Sequence, residues 1–315
     1  MKDRRIFIAG SRGMVGSAIE RRFRDQGYTQ LLTASRTELD LTDQRATREW
    51  MREHRPDVVI IAAARVGGIM ANATYPWTFL YENLAIETNL IQASHEQDVE
   101  QVIFLGSSCI YPKLAAQPLT EDSLLTGPLE PTNEWYAIAK IAGVKMIEAL
   151  RKQYGRRYVS LMPTNLYGPN DNFDLGTSHV MPAMIRKFHD ALPDGHVVLW
   201  GSGSPMREFL HVDDLAAAVE FAMSRDLPET LYNVGTGTDL TIRELAESIA
   251  HITGFSGTIE WDASKPDGTP RKLMNVDRLK SLGWSAKIEL NDGIRDTYEW
   301  FKTHQTNMKE VKIHG

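Results

Sequence analysis

Cysteine is nearly absent: Cys109 is the single one in 315 residues. That excludes an intrachain disulfide and a metal site built from thiolates alone. By composition, a lone cysteine reads as a small buried apolar residue. Long apolar runs are also missing. No stretch approaches the roughly 20 residues that a membrane-spanning helix needs. Met1 to Arg5 run straight into a short apolar strand, without the hydrophobic region and small-residue cleavage site of a signal peptide. The expectation is a cytoplasmic protein with no membrane partner. Positive charge is not in excess either. With 35 Lys and Arg against 41 Asp and Glu, the formal net charge is -6, which argues against nucleic acid or an anionic membrane, since either favours a basic face. A local basic pocket for an anionic ligand stays compatible with that balance. No repeat or low-complexity segment is evident, and no His/Asp/Glu cluster has metal-ligand spacing, so no metal is expected.

What is present is an ordinary globular composition, 42% hydrophobic and 24% charged, in a chain long enough for one large domain or two modest ones. From residue 6 to about 165, short β-branched runs alternate with helical patterns, as in a parallel sheet covered on both faces. Strands are predicted at Ile6–Ala9, Val58–Ala63, Val102–Leu105 and Tyr158–Met162, and helices at Val15–Gln26, Thr42–His54, Trp77–Asp98 and Tyr136–Tyr154. This is an α/β fold with a doubly wound parallel sheet of the Rossmann type. After Pro163, turn clusters at Gly168–Asn172, Gly201–Pro205 and Lys265–Pro270 interrupt shorter elements and point to a smaller C-terminal α/β domain. Val212–Met223 reads as a helix and Leu231–Val234 as a strand returning to the sheet. The expected division is therefore 1–165 plus about 211–240 for the dinucleotide, and about 166–210 plus 241–315 for the substrate. The polar tail after Lys302 is expected to fray.

Ile6–Ala9 leads into Gly10, Ser11, Arg12, Gly13, Met14, Val15 and Gly16 and then a helix, the context that a phosphate-cradling glycine loop requires. Glycines permit the tight turn and the close approach of backbone to pyrophosphate, while the helix N-terminus supplies unpaired N–H groups. An acid after the second strand would bind a ribose 2′-hydroxyl, whereas arginine accommodates a 2′-phosphate. Here Leu31–Arg36 ends in arginine with no acid before it, and Arg12 sits in the glycine loop. Two forked donors can bracket a phosphate, so the cofactor is expected to be NADP(H). Asp40, followed by Leu41, stands at a distance that suits the adenine better than the ribose.

Tyr136 and Lys140 lie at i and i+4 on one helix face. A nearby ammonium favours the phenolate and tunes a tyrosine for proton transfer. The pair is common by itself. Its position after Gly106, Ser107 and Ser108, at the carboxyl end of strand Val102–Leu105, gives it weight, because open α/β sheets bind ligands there. A hydroxyl at Ser107 can hold a substrate carbonyl while the tyrosine supplies the proton. Ser107, Tyr136 and Lys140 match, in order and spacing, the triad of the extended short-chain dehydrogenases/reductases.

At Gly106-Ser107-Ser108-Cys109-Ile110-Tyr111-Pro112-Lys113 the sequence resembles the GDP-L-fucose synthase family. Further matching blocks are Val66-Gly67-Gly68-Ile69, Pro131-Thr132-Asn133-Glu134, Pro163-Thr164-Asn165-Leu166-Tyr167-Gly168-Pro169, Met206 through Asp214, and Lys265 through Lys272, so the resemblance spans nearly the whole chain. It implies conversion of GDP-4-keto-6-deoxy-D-mannose to GDP-L-fucose, by epimerisation at C3 and C5 and NADPH-dependent reduction of the C4 ketone. It also implies that Cys109 and His179 are the acid and base of the epimerisations, the thiolate abstracting a proton and the imidazolium returning one. For the cofactor it adds Leu105, Gly106, Lys140, Pro163, Asn165, Leu166 and His179 to the glycine loop, Arg36, Asp40 and Leu41. For the GDP-sugar it points to Ser107, Ser108, Cys109, Lys187, Trp200, Arg207 and Asp267, with lysine at 187 keeping charge but losing an arginine's fork. A homodimer formed through the long helices is implied as well. His211 reads as a structural turn residue.

Two other readings compete. A related sugar-nucleotide epimerase, reductase or dehydratase shares the fold, but dehydratases of this superfamily carry an acidic pair just after the catalytic hydroxyl, where this chain has Ser108-Cys109-Ile110. A non-catalytic dinucleotide-binding protein would need the fold without Ser107, Tyr136, Lys140, Cys109 and His179 together.

Overall fold

Runs of wholly buried residues build the central sheet. The computed structural model describes residues 2–265 and 267–305, so Pro266 and the polar tail beyond Gln305 lie outside the described residues. The first half runs β1 (Ile6–Ala9), α1 (Met14–Asp25), β2 (Leu31–Leu32), α2 (Gln44–His54), β3 (Val58–Ile61), α3 (Ile69–Thr74), α4 (Pro76–Glu96), β4 (Gln101–Leu105), α5 (Glu134–Tyr154) and β5 (Arg157–Pro163). The second half runs β6 (Asn165–Tyr167), α6 (Val180–Asp190), β7 (His196–Trp200), β8 (Met206–Arg207), β9 (Phe209–His211), α7 (Val212–Met223), β10 (Leu231–Val234), β11 (Leu240–Thr241), α8 (Ile242–Thr253), β12 (Thr258–Asp262), β13 (Arg271–Lys272), α9 (Asp277–Ser281) and α10 (Leu290–His304).

Six strands form one parallel sheet in the order β10-β5-β4-β3-β1-β2, with Ile8 opposite Ile60 and Ile61 opposite Phe104. Successive side chains point to opposite faces, and the two faces carry separate cores. Ile6, Ile8, Val58, Ile60, Ile103 and Leu161 pack against α1 and α7. Phe7, Val59, Ile61, Val102, Phe104 and Tyr158 pack against α2, α4 and α5. Truncating one of these, such as Ile60→Ala, is of the kind that costs about 2–5 kcal/mol. The chain reverses its winding between β1 and β3, which opens a crevice at their carboxyl ends.

β2 is only two residues long and half-buried at the sheet edge, so the second predicted strand stops well short of Arg36. Strand Val58–Ala63 ends two residues early, at Ile61. A third core, under α6, α8 and α10, is built by Ile185, Phe188, Leu199, Leu245, Ile249, Ile294 and Phe301. Its strand β7 alternates exposed and buried residues, the pattern of a ribbon covered on one face, and pairs in parallel with β12. β10 meanwhile joins β5 in the main sheet, with Tyr232 opposite Leu161.

Candidate active site

The glycine turn after β1 has the shape of a cradle. Gly10 has φ +88°, and a Cβ there would stand 2.7 Å from the Ala63 backbone nitrogen. At Gly16 a Cβ would lie 2.1 Å from the Gly10 carbonyl oxygen, so α1 can start this close to the turn only without a side chain. Gly13 differs. It is the N-cap of α1 without a side-chain cap bond, and a Cβ on it would meet the Gly10 oxygen at an ordinary 3.5 Å. The protein itself has room there. A helix start without a side-chain cap, where a Cβ would meet only an ordinary contact, fits a phosphate. Ser11 is buried in the turn, Met14 and Val15 of the first helical turn pack on the core, and Asn170 donates from Nδ2 to the Arg12 carbonyl at 3.3 Å and to Ser17 Oγ at 3.1 Å.

Arg12 and Arg36 converge on one turn. The Glu38 carboxyl is held below its ordinary value by hydrogen bonds from Ser35 and by the Arg12 charge. Asp40 is also lowered: burial opposes this, but hydrogen bonds from Thr42 and the Arg36 charge prevail. Thr42 donates to Asp40 Oδ1 from its backbone N–H at 3.0 Å and its hydroxyl at 2.7 Å. Arg36 reaches Glu82 at 3.9 Å, a loose contact on an exposed side chain. Leu41 packs on the α2/α4 side of the sheet.

At the end of β4, Leu105 is buried, and a Cβ on Gly106 would overlap Met162 Cε at 2.1 Å. Glycine here lets the chain turn at once into a single helical turn at Ser108–Ile110, which Ser107 caps by accepting from the Cys109 backbone N–H at 3.4 Å. Ser107 and Cys109 therefore share one turn, and Ser108 and Cys109 are both buried. Lys140, one helical turn after Tyr136 in α5, is 1% exposed; it donates to the Leu105 carbonyl at 3.2 Å and pairs with Glu87 of α4 at 2.7 Å. Its ammonium stands 5.7 Å from the centre of the Tyr136 ring. Burial raises the Tyr136 phenol well above its ordinary value, and Cys109 and Glu87 add to that.

His179 opens α6 as its N-cap. The preceding loop is fixed against the 66–68 segment, where Gly68 donates its N–H to the Thr177 carbonyl at 3.1 Å, and Asp174 Oδ1 accepts from the Gly176 N–H at 3.0 Å and the Thr177 hydroxyl at 2.9 Å. The residue keeps an exposed surface, and burial of the ring by the surrounding protein depresses the imidazolium. Cys109 moves the other way: burial raises the thiol, against Lys272, the Ser107 hydroxyl and Lys140. The thiolate and imidazolium expected from the sequence are thus both disfavoured in the free protein, which rests as thiol and neutral imidazole.

Across the cleft, β8 carries Arg207 and pairs with β13 so that Lys272 stands beside it in register. Burial lowers both Arg207 and Lys272, and the Lys272 charge reaches Cys109. Lys187 of α6 donates to the Val198 carbonyl at 2.9 Å and is likewise lowered by burial. Trp200 ends β7, 58% exposed, with Lys265 Nζ 5.7 Å from its ring centre. Asp267 spends its carboxylate on the turn at Ser202, accepting from the backbone N–H at 2.6 Å and the hydroxyl at 2.9 Å. The Asn165 amide is committed to the Glu208 carbonyl at 2.8 Å, Pro163 ends β5, and Leu166 packs on the α1/α7 core. His211 caps α7 by accepting from the Asp213 N–H at 3.3 Å, a turn role as expected.

Two residues here escaped the sequence reading. Lys272 lay within a quoted block, but only the β8–β13 pairing shows that it joins Arg207 beside Cys109. Glu87 carried no signal in the sequence, and only the structure shows it buried in α4, at i+4 from the buried Asn83.

The chain from 6 to 235 matches the model of the NAD dependent epimerase/dehydratase family. It is 55% identical to the GDP-L-fucose synthase of Escherichia coli (strain K12) over 322 residues, covering 98% of this chain and 100% of that protein. Among solved structures, the GDP-mannoheptose C4 reductase of Campylobacter jejuni with NADP bound superposes with a TM-score of 0.89 at 37% identity, covering 96% of this chain and 99% of that one. A GDP-L-fucose synthetase from Naegleria fowleri bound to NADP gives 0.91 at 26% identity, covering 98% and 96%. With a glycine turn after β1, a buried thiol on the turn that Ser107 caps and Lys272 beside Arg207 near that thiol, the chain belongs to the NAD dependent epimerase/dehydratase family and, within it, to the GDP-L-fucose synthases.

Proposed function

We propose that this cleft converts GDP-4-keto-6-deoxy-D-mannose to GDP-L-fucose, by epimerisation at C3 and C5 followed by reduction at C4. The observation that carries the reading is the buried Cys109 on the same turn as Ser107, within reach of the Lys272 charge that stands beside Arg207. Both epimerised carbons flank the ketone, so loss of either proton leaves an enolate at the same oxygen. Ser107 and Tyr136 hold that oxygen. His179 and Cys109 serve as base and acid: neutral imidazole plus thiol carries the same number of protons as imidazolium plus thiolate, so either form is a complete set for inversion. NADPH, when bound, supplies the hydride that C4 accepts. Tyr136 then gives the oxygen its proton, and the Lys140 ammonium favours the phenolate left behind.

Gly10 to Gly16 hold the cofactor diphosphate, and Arg12 and Arg36 receive the 2′-phosphate, for which the loose Arg36–Glu82 contact is a weak competitor. Asp40 and Leu41 border the adenine, and Leu105, Gly106, Pro163, Asn165 and Leu166 line the path to the nicotinamide. The described residues of segments about 166–210 and 241–315 form the unit that holds GDP, with Lys187, Arg207 and Lys272 toward the diphosphate and Trp200 and Asp267 toward the nucleoside or sugar. The working assembly is a homodimer through α4 and α5. An NADPH-dependent enzyme with a free catalytic thiol suits a reducing compartment, so we place it in the cytoplasm. The test is product identification: incubation with GDP-4-keto-6-deoxy-D-mannose and NADPH is expected to yield GDP-L-fucose with stoichiometric loss of nicotinamide absorbance. Formation of the unepimerised 4-reduced sugar, or no consumption of NADPH, defeats the reading.

A further inference from the structure

The Lys140 ammonium sits in the core beside a carboxylate placed there by another helix. Lys140 and Glu87 are each 1% exposed, and Nζ lies 2.7 Å from Glu87 Oε1. Among the described residues, no other donor reaches either Glu87 oxygen. The carboxylate therefore has one partner, and burying it for that partner alone is costly. The slot that receives it is built. A Cβ on Gly143 of α5 would stand 2.8 Å from Glu87 Oε2 and 2.5 Å from Phe104 Cζ, so α5 approaches α4 closely only because position 143 is bare. Phe104 also offers its ring face to Nζ, 4.8 Å from the centroid.

We infer that Glu87 is a positioning residue for the reaction proposed above, anchoring and charge-balancing the Lys140 ammonium beneath Tyr136. An ammonium has three donors. The Leu105 carbonyl takes one of them at 3.2 Å and Glu87 holds the charge as an ion pair at 2.7 Å, and together they fix Nζ 5.7 Å from the centre of the phenol ring. The ionisable groups facing the pair are Tyr136 of α5 and Cys109 of the turn after β4, and both sense it: Glu87 acts on Tyr136 and Lys140 on Cys109. α2 meets α4 at the exposed pair Arg48–Glu96, over two turns further along the helix. Burial lifts Glu87 to about 7, with Lys140 opposing the rise. A carboxylate so placed would not be held there by packing alone.

The test is a double-mutant cycle on the full-length protein, read as single-turnover NADPH oxidation with GDP-4-keto-6-deoxy-D-mannose. Glu87→Gln is expected to lower the rate about tenfold or more while leaving the half-saturating sugar concentration within about twofold, and Glu87→Asp, which keeps the charge, to recover most of the loss. On a Lys140→Gln background, Glu87→Gln should cost less than about twofold, because the group through which it acts is gone. Equal losses in both backgrounds, or no loss in either, overturn the inference. If Glu87→Gln alone is insoluble, Glu87→Asp supplies the single-variant arm, with a smaller loss that likewise vanishes on Lys140→Gln. The inference rests on the proposed reduction, and the two fail separately: an inactive wild type defeats the reaction, whereas an active wild type with an additive cycle defeats only the part given to Glu87.

Discussion

Cys109 shows how much one side chain's surroundings decide. As a lone cysteine it reads as inert packing, and it is indeed buried; its place on the turn that Ser107 caps is what supports the acid-base part proposed for it. Burial lowers His179 and raises Cys109. The charged forms are thus populated outside a wide central window. If His179 acts neutral and Cys109 acts as thiol, exchange of deuterium from solvent into C3 and C5 should hold a plateau, falling as pH drops through a limb below 6.5 and as it rises through a limb above 9.0. Protonating the imidazole removes the base, and ionising the thiol removes the acid. Cys109→Ser is expected to slow that exchange about 100-fold or more and hydride transfer far less, because a hydroxyl is a poorer proton carrier while the ketone oxygen keeps Ser107 and Tyr136. Undiminished label at both carbons in the variant, or an acid limb above 6.5 in the wild type, removes the assignment.

Between β1 and α1, three glycines answer to different demands, and this separates folding from binding. Gly16→Ala puts a methyl 2.1 Å from a backbone oxygen, so the helix must shift; a loss of about 1–3 kcal/mol in stability is expected, with cofactor binding impaired as a consequence. Gly13→Ala has room within the protein and should change stability by about 1 kcal/mol or less, yet raise the half-saturating NADPH concentration about tenfold by keeping the diphosphate off the helix start. Thermal unfolding and cofactor titration on the two variants check this; equal stability losses with unchanged NADPH affinity for Gly13→Ala would show that the loop is not the cradle. Elements of this half were legible because their signals are strong. β1 and β3 are buried on both faces and read as unbroken apolar runs, and β4 and β5 do so apart from Gln101, Arg157 and Ser160, whereas α1 and α2 show an apolar stripe. β8, β11 and β13 are two residues each, and nothing local specifies a strand so short. They exist because residues far apart in sequence meet, which is also why Lys272 was invisible as a partner of Arg207 and Cys109. Glu87 was hidden for a related reason: an acid in a helix reads as solvated until the neighbouring helix supplies a cation.

At the scale of the whole molecule, a net charge of -6 coexists with a cationic wall because the two are spatially separated. Arg207 and Lys272 stand side by side near Cys109, while much of the remaining charge is spread over surface pairs such as Arg21–Asp213 and Arg45–Glu49. The same partition governs α4 and α5. Their inner residues, Glu87 and Lys140, meet in the core, but Trp77, 70% exposed and stacked on Tyr81 with ring centres 5.4 Å apart, and Trp135 and Ile138 of α5 face solvent. Large aromatic side chains left outside on two adjoining helices mark a surface that another surface covers. In the homodimer proposed above, a second copy of the chain would satisfy that face symmetrically, helix pair against helix pair. Trp77→Glu with Tyr81→Glu is expected to halve the mass seen by sedimentation equilibrium and to abolish the concentration dependence of the melting temperature that an assembling protein shows. Because α4 also carries Glu87, the monomer should lose reductase rate more than cofactor affinity. A wild type that sediments as a monomer at micromolar concentration, or a double variant that remains dimeric, places the interface elsewhere.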